Sequence, residues 1–458
     1  MKLRPYQETL ISQARALMQS GCKSLVIQSA TGSGKTLLTA HMLKTAQGRG
    51  LTSWFICHRR ELIHQSVAAF KDMGVDVGVI SAGFESHPER SVQVCSIQTL
   101  AGRVDRLKKP HFVVWDECAH QAARTWSEMY TRLDGAYHIG LTATPERLDG
   151  SGLDRFYTHM IHGPSVRWLI DNKFLSEFRV FAPPTVSTAG LHTRMGDYVK
   201  EEVNALMDKP TITGSAIEMY RKHTYGRRAL GFAASIEHSK HVVEQFNAFG
   251  IPAEHVDGDT KPEVRDNAIE RFRKGITLVL SNCDIFLEGF DCPAAEVAII
   301  LRPSKSECLV RQMYGRVLRT YPGKSEAIIL DHVGNVARHG FPDDGRVWTL
   351  KGREANRRTV EACKSVRVCS RCFAAMWSGG QACTFCGFVF EVESREVRQV
   401  DGELFELDRQ AIAVRRKHEQ RGAQSMSELI QIGRDRKYKN PTGWAWHYFN
   451  ARNRAVAR

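Results

Sequence analysis

Long apolar runs are missing from this sequence of 458 residues: no stretch reaches the roughly eighteen apolar residues of a bilayer span, and the opening MKLRPYQETLISQARALMQSGCKS has charge scattered through it. Neither membrane anchoring nor secretion is therefore expected. Repeats of solenoid length and low-complexity tracts are also missing, which leaves folded domains as the organising unit. Cysteine is thin. Twelve residues, eight of them scattered singly, are not the framework of a disulfide-stapled secreted protein and point to a reducing compartment. Acidic residues are outnumbered, 50 Asp plus Glu against 64 Lys plus Arg, and the resulting charge of +14 favours polyanionic partners without telling DNA from RNA or lipid.

What is present is enough chain for about three domains, at a soft prior of roughly 150 residues each, with 42% hydrophobic residues to fill their cores. Short apolar runs alternate with helical patterns: SLVIQSA, SWFICH, FVVWDE and YHIGLTATP, then a second series from RRALGFAAS through ITLVLSN, EVAIILRP and EAIILDH. Strand followed by helix, repeated, predicts two α/β domains, each a parallel sheet covered on both faces. The expected boundaries are 1–170 and 226–340 for these domains, with a connector over 171–225, an irregular charged linker over 341–367, a small cysteine module over 368–390 and a basic helical tail over 391–458. From Arg409 to Arg458 there are 12 basic and 3 acidic residues, a net of +9, and the closing NPTGWAWHYFNARNR interleaves aromatics with arginine, as a strand-stacking surface can.

SLVIQSATGSGKT sets a strand, a glycine-containing loop and a helix start in the order a phosphate cradle needs. Over Thr31, Gly32, Ser33 and Gly34 the two glycines let backbone N–H groups approach phosphate; Lys35 reaches the outer phosphates, and the Thr36 hydroxyl can bind Mg2+. Ser29 stands where the strict pattern has its first glycine. About eighty residues on, FVVWDE ends a buried strand in two carboxylates: Asp116 can hold Mg2+ and Glu117 can deprotonate an attacking water. In RQMYGRVLR, Gln312, Gly315, Arg316 and Arg319 share one helix face, which can present two guanidiniums to a phosphate across an interdomain cleft.

The ordered set LRPYQ, ATGSGKT, FICHRREL, CSIQTL, WDECAH, LTATPERLDG, GFAAS, CDIFLEGFDCP and QMYGRVLR resembles superfamily two DNA helicases and translocases of the DEAD/DEAH type, over about residues 3 to 340. The resemblance is to the phage-recombination and repair members that also include restriction-enzyme motors. It implies two RecA-like domains whose cleft closes on ATP and reopens on hydrolysis. By the same resemblance, Arg4 and Gln7 belong to an adenine-reading element, Arg59, Gln98 and Thr99 to segments gripping the strand backbone, and Thr142 and Thr144 to the link between hydrolysis and strand contact. Glu288, Gly289 and Asp291 match an element touching strand and nucleotide, and Gln312, Arg316 and Arg319 the arginine-finger helix. One position departs: the box histidine is replaced by Ala119, with His120 one residue late. In the family that histidine contacts the glutamine matching Gln312, so Ala119 touches coupling rather than hydrolysis, and His120 is expected to take the contact over.

VCSRCFAAMWSGGQACTFCGF holds Cys369-x2-Cys372, ten intervening residues and Cys383-x2-Cys386, a pattern for one structural Zn2+ on four thiolates. Such a module can grip nucleic acid or dock a protein. The tail motif GWAWHYF resembles phage members of the helicase group, which makes the expected setting the cytoplasm of a bacterium or a phage-infected host. The leading expectation is an ATP-dependent DNA helicase or branched-DNA translocase in recombination, repair or replication, using ATP, Mg2+ and structural Zn2+. A nucleic-acid clamp without unwinding, a restriction-system motor and an RNA helicase are the alternatives.

Overall fold

The computed structural model describes residues 2–147, 150–182, 187–194, 196–287, 289, 291–352, 365–390, 419–420, 422–423, 425–436, 438 and 440–456. It contains both expected parallel sheets. The first is built from β1 (Ser24–Gln28), β2 (Ser53–Cys57), β3 (Val77–Ile80), β4 (Val92–Ser96), β5 (Phe112–Asp116), β6 (Tyr137–Thr142) and β7 (His159–His162), in the spatial order β3-β4-β2-β5-β6-β1-β7. Every neighbouring pair is parallel. Helices α1 (Pro5–Gln19), α2 (Lys35–Gly48), α3 (Arg60–Asp72), α4 (Ile97–Ala101), α5 (Arg124–Arg132) and α6 (Val166–Asp171) accompany it.

The central strands are largely apolar because both faces are covered, while the edge strand β7 exposes His159 and His162. Leu25, Ile27, Phe55 and Val114 belong to one buried cluster; their chain neighbours Val26, Trp54, Ile56, Val113 and Trp115 belong to the other. The period of two thus divides each strand between two cores. Since all strands run one way, their carboxyl ends share one edge, and the loops leaving β1, β5 and β6 meet there.

The second sheet has the order β12-β13-β11-β14-β15-β8 and is also parallel. Its elements are β8 (Phe178–Phe181), a two-residue hairpin of β9 (Thr193–Arg194) and β10 (Asp197–Tyr198), α7 (Lys200–Met207), α8 (Pro210–Thr224), β11 (Ala229–Phe232), α9 (Ile236–Ala248), β12 (Ala253–Val256), α10 (Pro262–Arg273), β13 (Val279–Asn282), β14 (Val297–Ile300), α11 (Glu307–Val317), β15 (Ala327–Asp331) and α12 (Asn335–His339).

Two stretches differ from the sequence expectation. The connector over 171–225 supplies the sheet's edge strand β8, with Phe178 opposite Ala327 and Val180 opposite Ile329, and α8 buries Ile217 and Tyr220. Three apolar residues around Arg179 are too few to announce a strand, and their partner lies about 150 residues downstream. The linker over 341–367 begins with a strap that returns to the first domain: Leu153 N–H donates to Leu350 O at 2.6 Å, Ser151 bridges Gly352, and Trp348 is buried.

The four-cysteine module carries a hairpin of β16 (Val366–Val368) and β17 (Ala375–Trp377). It docks on the open edge of the second sheet, where Phe181 pairs with Ala374, Ala182 N–H donates to Phe373 O at 2.8 Å and Trp377 meets Phe341 edge-on. An edge strand left bare is a template for unwanted pairing, and the module covers it. Residues Glu391–Arg458 form a separate unit. Its described helices, α13 (Met426–Asp435) and α14 (Pro441–Val456), bury Leu429 and Ala445 and leave Trp446 exposed.

Four histidines are held as neutral rings, three of them buried and His339 half-buried. Trp115 Nε1 donates to His138 Nδ1 at 3.0 Å, so His138 carries its proton on Nε2, facing Leu133 O at 3.1 Å. Burial pushes His138, His238, His332 and His339 down to about 4. Their folded values lie below the unfolded value of roughly 6.5, so the unfolded chain binds more protons between those limits. Stability is therefore full above about pH 6.5 and expected to fall as pH drops towards 4. Chemical denaturation at pH 7.5, 6 and 5 checks this; a midpoint unchanged from 7.5 to 5 would contradict it.

Candidate active site between the two domains

The loop from β1 to α2 is shaped by backbone that favours glycine. Gly32 and Gly34 have φ of 82° and 79°, in the left-handed region. Ser29, in place of a first glycine, donates its hydroxyl to Ser33 Oγ at 2.7 Å and ties the loop's ends together. The N-terminus of α2 has no side-chain cap, so its first-turn N–H groups are offered to a ligand. Lys35 Nζ folds back to Ser29 O at 3.2 Å, and Thr36 is exposed at the helix start.

From below, α1 braces the loop. Gln7 Nε2 donates to Ser33 O and Gly34 O, each at 3.1 Å, while its Oε1 accepts from Arg4 N–H at 2.9 Å. Tyr6, which sequence reasoning missed, donates its hydroxyl to Ser33 O as well. Arg4 lies 4.7 Å over the Phe174 ring. Gln7 thus supports the cradle with its amide nitrogen.

Asp116 closes β5, and Glu117 follows with φ 47° and ψ 56°, a left-handed conformation unusual for a residue with a Cβ, before a 3-10 turn over Cys118–Ala122. The Thr142 hydroxyl lies 3.1 Å from Glu117 Oε2 and accepts from Thr144 N–H at 3.1 Å. The end of β6 is therefore joined directly to the acid pair.

The second domain is closed over this edge. Gly315 of α11 lies on Thr31, and a Cβ there would fall 2.5 Å from Thr31 Cβ. Arg319 Cγ packs against Gly32. Burial lowers the Lys35 ammonium; Glu117 and then Asp116 pull it back up, and Arg316 and Arg319 push it down again. Lysine, acid pair and both guanidiniums thus share one electrostatic neighbourhood, with three cations facing two carboxylates. Arg319, pushed down to about 10 by burial, pairs with Asp291, and Arg316 donates to Leu287 O. The donor set fits a polyphosphate with Mg2+.

The other expected residues make contacts within the protein. Arg59 Nη1 donates to Asp284 O at 3.3 Å and Ile285 O at 3.1 Å, so its guanidinium holds the second domain rather than standing open to a strand. Glu61 pairs with Arg265 at 2.5 Å, and Gly289 has only a hydrogen's room beside Leu62. Gln98 is exposed, accepting from Ser96 Oγ at 2.8 Å and reaching His58 O; Thr99 Oγ1 accepts from Ala82 N–H at 3.2 Å. The His120 ring lies 4.6 Å from that of His58 and 5.8 Å from that of Trp126, while Gln312 Oε1 is buried without a hydrogen bond. The expected bridge from His120 to that oxygen is not formed in this conformation. Glu288 lies outside the described residues.

The four cysteines converge. Their sulfurs lie within 4.8 Å of one another, with Cys369 to Cys386 and Cys372 to Cys383 each 3.7 Å. Tetrahedral thiolates at about 2.3 Å from a metal stand roughly 3.8 Å apart, so the donor set fits one ion. Phe385 N–H also points at Cys383 Sγ, at 3.4 Å.

A phosphate loop, an acid pair and an arginine helix brought in by a second parallel sheet define a two-domain nucleotide-hydrolysing motor. Residues 1–147 match the family described as type III restriction enzyme, res subunit, and residues 211–321 match the helicase conserved C-terminal domain. The chain is 32% identical over 421 residues to a 51.5 kDa protein of a Lactococcus phage, covering 91% of this chain and 89% of the relative. It is 29% identical over 355 residues to the Saccharomyces cerevisiae protein provisionally named ATP-dependent helicase IRC3, covering 72% of this chain and spanning about half, 51%, of that one. The fold superposes on the ATP-dependent type ISP restriction-modification enzyme LlaBIII bound to DNA with a TM-score of 0.56 at 17% identity, covering 73% of this chain and 28% of that one. The chain belongs to the superfamily two helicases and is a nucleic-acid-dependent ATPase.

The contact between Gly315 and Thr31 leaves no room for a side chain. Gly315→Val is expected to lift α11 and lower ATP turnover by about tenfold or more while the fold persists, since misplacing a charge-stabilising group carries a penalty of that order. Steady-state ATPase rates beside a thermal melt check this; wild-type turnover in the variant would contradict it.

Proposed function

We propose that the protein is an ATP-dependent DNA helicase or branched-DNA translocase acting in recombination, repair or replication. The observation that carries this is the convergence of Lys35, Asp116 and Glu117 with Arg316 and Arg319 across a cleft formed by two separate sheets. Domain closure and hydrolysis are thereby one geometric event, which is what a strand-moving motor requires. The match to a restriction-subunit family supports DNA as the strand.

ATP with Mg2+ supplies the phosphoryl group and neutralises part of its charge. Backbone N–H groups from Thr31 to Thr36 would hold the phosphates, Lys35 would face the outer ones, and Thr36 and Asp116 would hold the metal. Glu117 orients the attacking water and takes its proton on a carboxylate oxygen, with Thr142 steadying that carboxylate. Arg316 and Arg319 meet the charge that grows on the transferring group, and Gln312 reports that contact to the acid-box loop. Arg319 must leave Asp291 to do so. Gln98 and Thr99, at the carboxyl edge of the first sheet, face the strand. Zn2+ on Cys369, Cys372, Cys383 and Cys386 would fix the module, and α14, with Trp444, Trp446, Tyr448 and Phe449, would add aromatic surface for nucleic acid.

ATPase rates with no nucleic acid, single-stranded DNA, duplex DNA, forked DNA and RNA test the reading. Stimulation is expected with DNA, strongest with forks or single strands, and loss by about a hundredfold or more in Lys35→Ala. Stimulation by RNA alone would overturn the DNA assignment, and equal rates throughout would point to a clamp. Metal analysis should find about one zinc per chain, and its absence from protein with intact thiols would sink the zinc assignment.

A further inference from the structure

The strap after Gly340 carries a charge cluster that the motor residues do not explain. Arg346 Nη2 lies 2.6 Å from Glu146 Oε2, and Arg346 Nη1 pairs with Glu307. Glu146 follows the Thr142–Thr144 turn by two residues, and its side chain is 1% exposed; Glu307 opens α11. Glu307 Oε1 pairs in turn with Arg311 Nε at 2.7 Å, and Arg311 Nη2 donates to Asp344 O at 3.2 Å. One guanidinium therefore ties the turn that steadies Glu117 to the helix that bears Gln312, Arg316 and Arg319.

The halves of this cluster belong to different domains. Beyond Arg346 the strap is fastened to the first domain, through Leu350 O to the N–H groups of Leu153 and Asp154. Before it, Pro342 and Asp344 are fastened to the second through Arg311. Gly345 separates the two anchorages, with open space around its Cα. An opening of the cleft about this point would keep Arg346 with Glu146 and part it from Glu307.

We infer that Arg346 is a positioning residue for ATP hydrolysis, a closure-dependent clamp that seats α11 and its arginines over the phosphate loop. The inference rests on the assignment of α11 as the arginine helix. A guanidinium suits the task because it can serve two carboxylates at once from fixed directions. It acts on the closed, reacting arrangement and leaves the loop's own grip on ATP untouched, so its loss should appear in kcat and spare KM.

The test compares Arg346→Ala, Arg346→Lys, the double variant Arg346→Ala with Glu146→Gln, and Arg319→Ala, with nucleic acid present. The double variant leaves no buried carboxylate without a partner and guards against misfolding in Arg346→Ala. Expected are a kcat about tenfold lower in Arg346→Ala and in the double variant, KM for ATP within about twofold, partial recovery in Arg346→Lys, and an unfolding midpoint in the double variant close to wild type. Wild-type kcat in the double variant, with Arg319→Ala inactive, would overturn the clamp alone. Wild-type kcat in Arg319→Ala would remove the arginine-helix assignment and the clamp with it. A loss confined to KM would also overturn the clamp.

Discussion

The close approach of α11 to the phosphate loop is the contact on which the rest depends. It is possible because Gly315 offers Thr31 a hydrogen where any other residue would bring a carbon. From that contact follow the seat of Arg319 beside Gly32, the shared field of two guanidiniums, a lysine and two carboxylates, and the closed state of the cleft. Around it, Arg59 and the Glu61–Arg265 pair fasten the domains at one side and the strap from Phe341 to Gly352 crosses at another. These polar contacts stand beside the apolar approach of Gly289 to Leu62, and small contacts of this kind suit an interface that must open and reform.

Much of the chemistry was legible because it is local. A phosphate loop needs strand, glycines, lysine and helix in immediate succession, and an acid pair needs only the end of a buried strand, so both can be read from a dozen residues. The parallel sheets were legible for the same reason, their central strands being apolar on both faces. What stayed hidden depends on distance along the chain. β8 pairs with β15 across about 150 residues, the Arg346–Glu146 contact spans 200, and Tyr6 reaches Ser33 from another element. No periodicity marks such partners, since a charged residue looks the same whether it faces solvent or a buried carboxylate.

The four-cysteine module shows how a local reading can leave placement open. Its spacing foretells that four sulfurs converge, as they do, yet nothing in the spacing says that Ala374 would bridge Phe181 or that Trp377 would meet Phe341. Docked there, it extends the hydrophobic core of the second domain and shields its edge. Any role in gripping nucleic acid is exercised from a body fixed to that domain and not from a free arm. His120 teaches the complementary lesson. The shifted box was visible in the sequence, but its ring rests among His58 and Trp126, and Gln312 Oε1 waits without a donor.

That cleft closure assembles the hydrolytic site is the central claim, and energy transfer between the domains tests it most directly. Fluorophores attached through genetically encoded reactive side chains at Lys71 on α3 and Lys240 on α9, both exposed, would report their separation. With a non-hydrolysable ATP analogue and a single strand, transfer should rise to one high value, and with ADP it should fall as the cleft opens. Transfer that stays constant through binding, hydrolysis and release would contradict it.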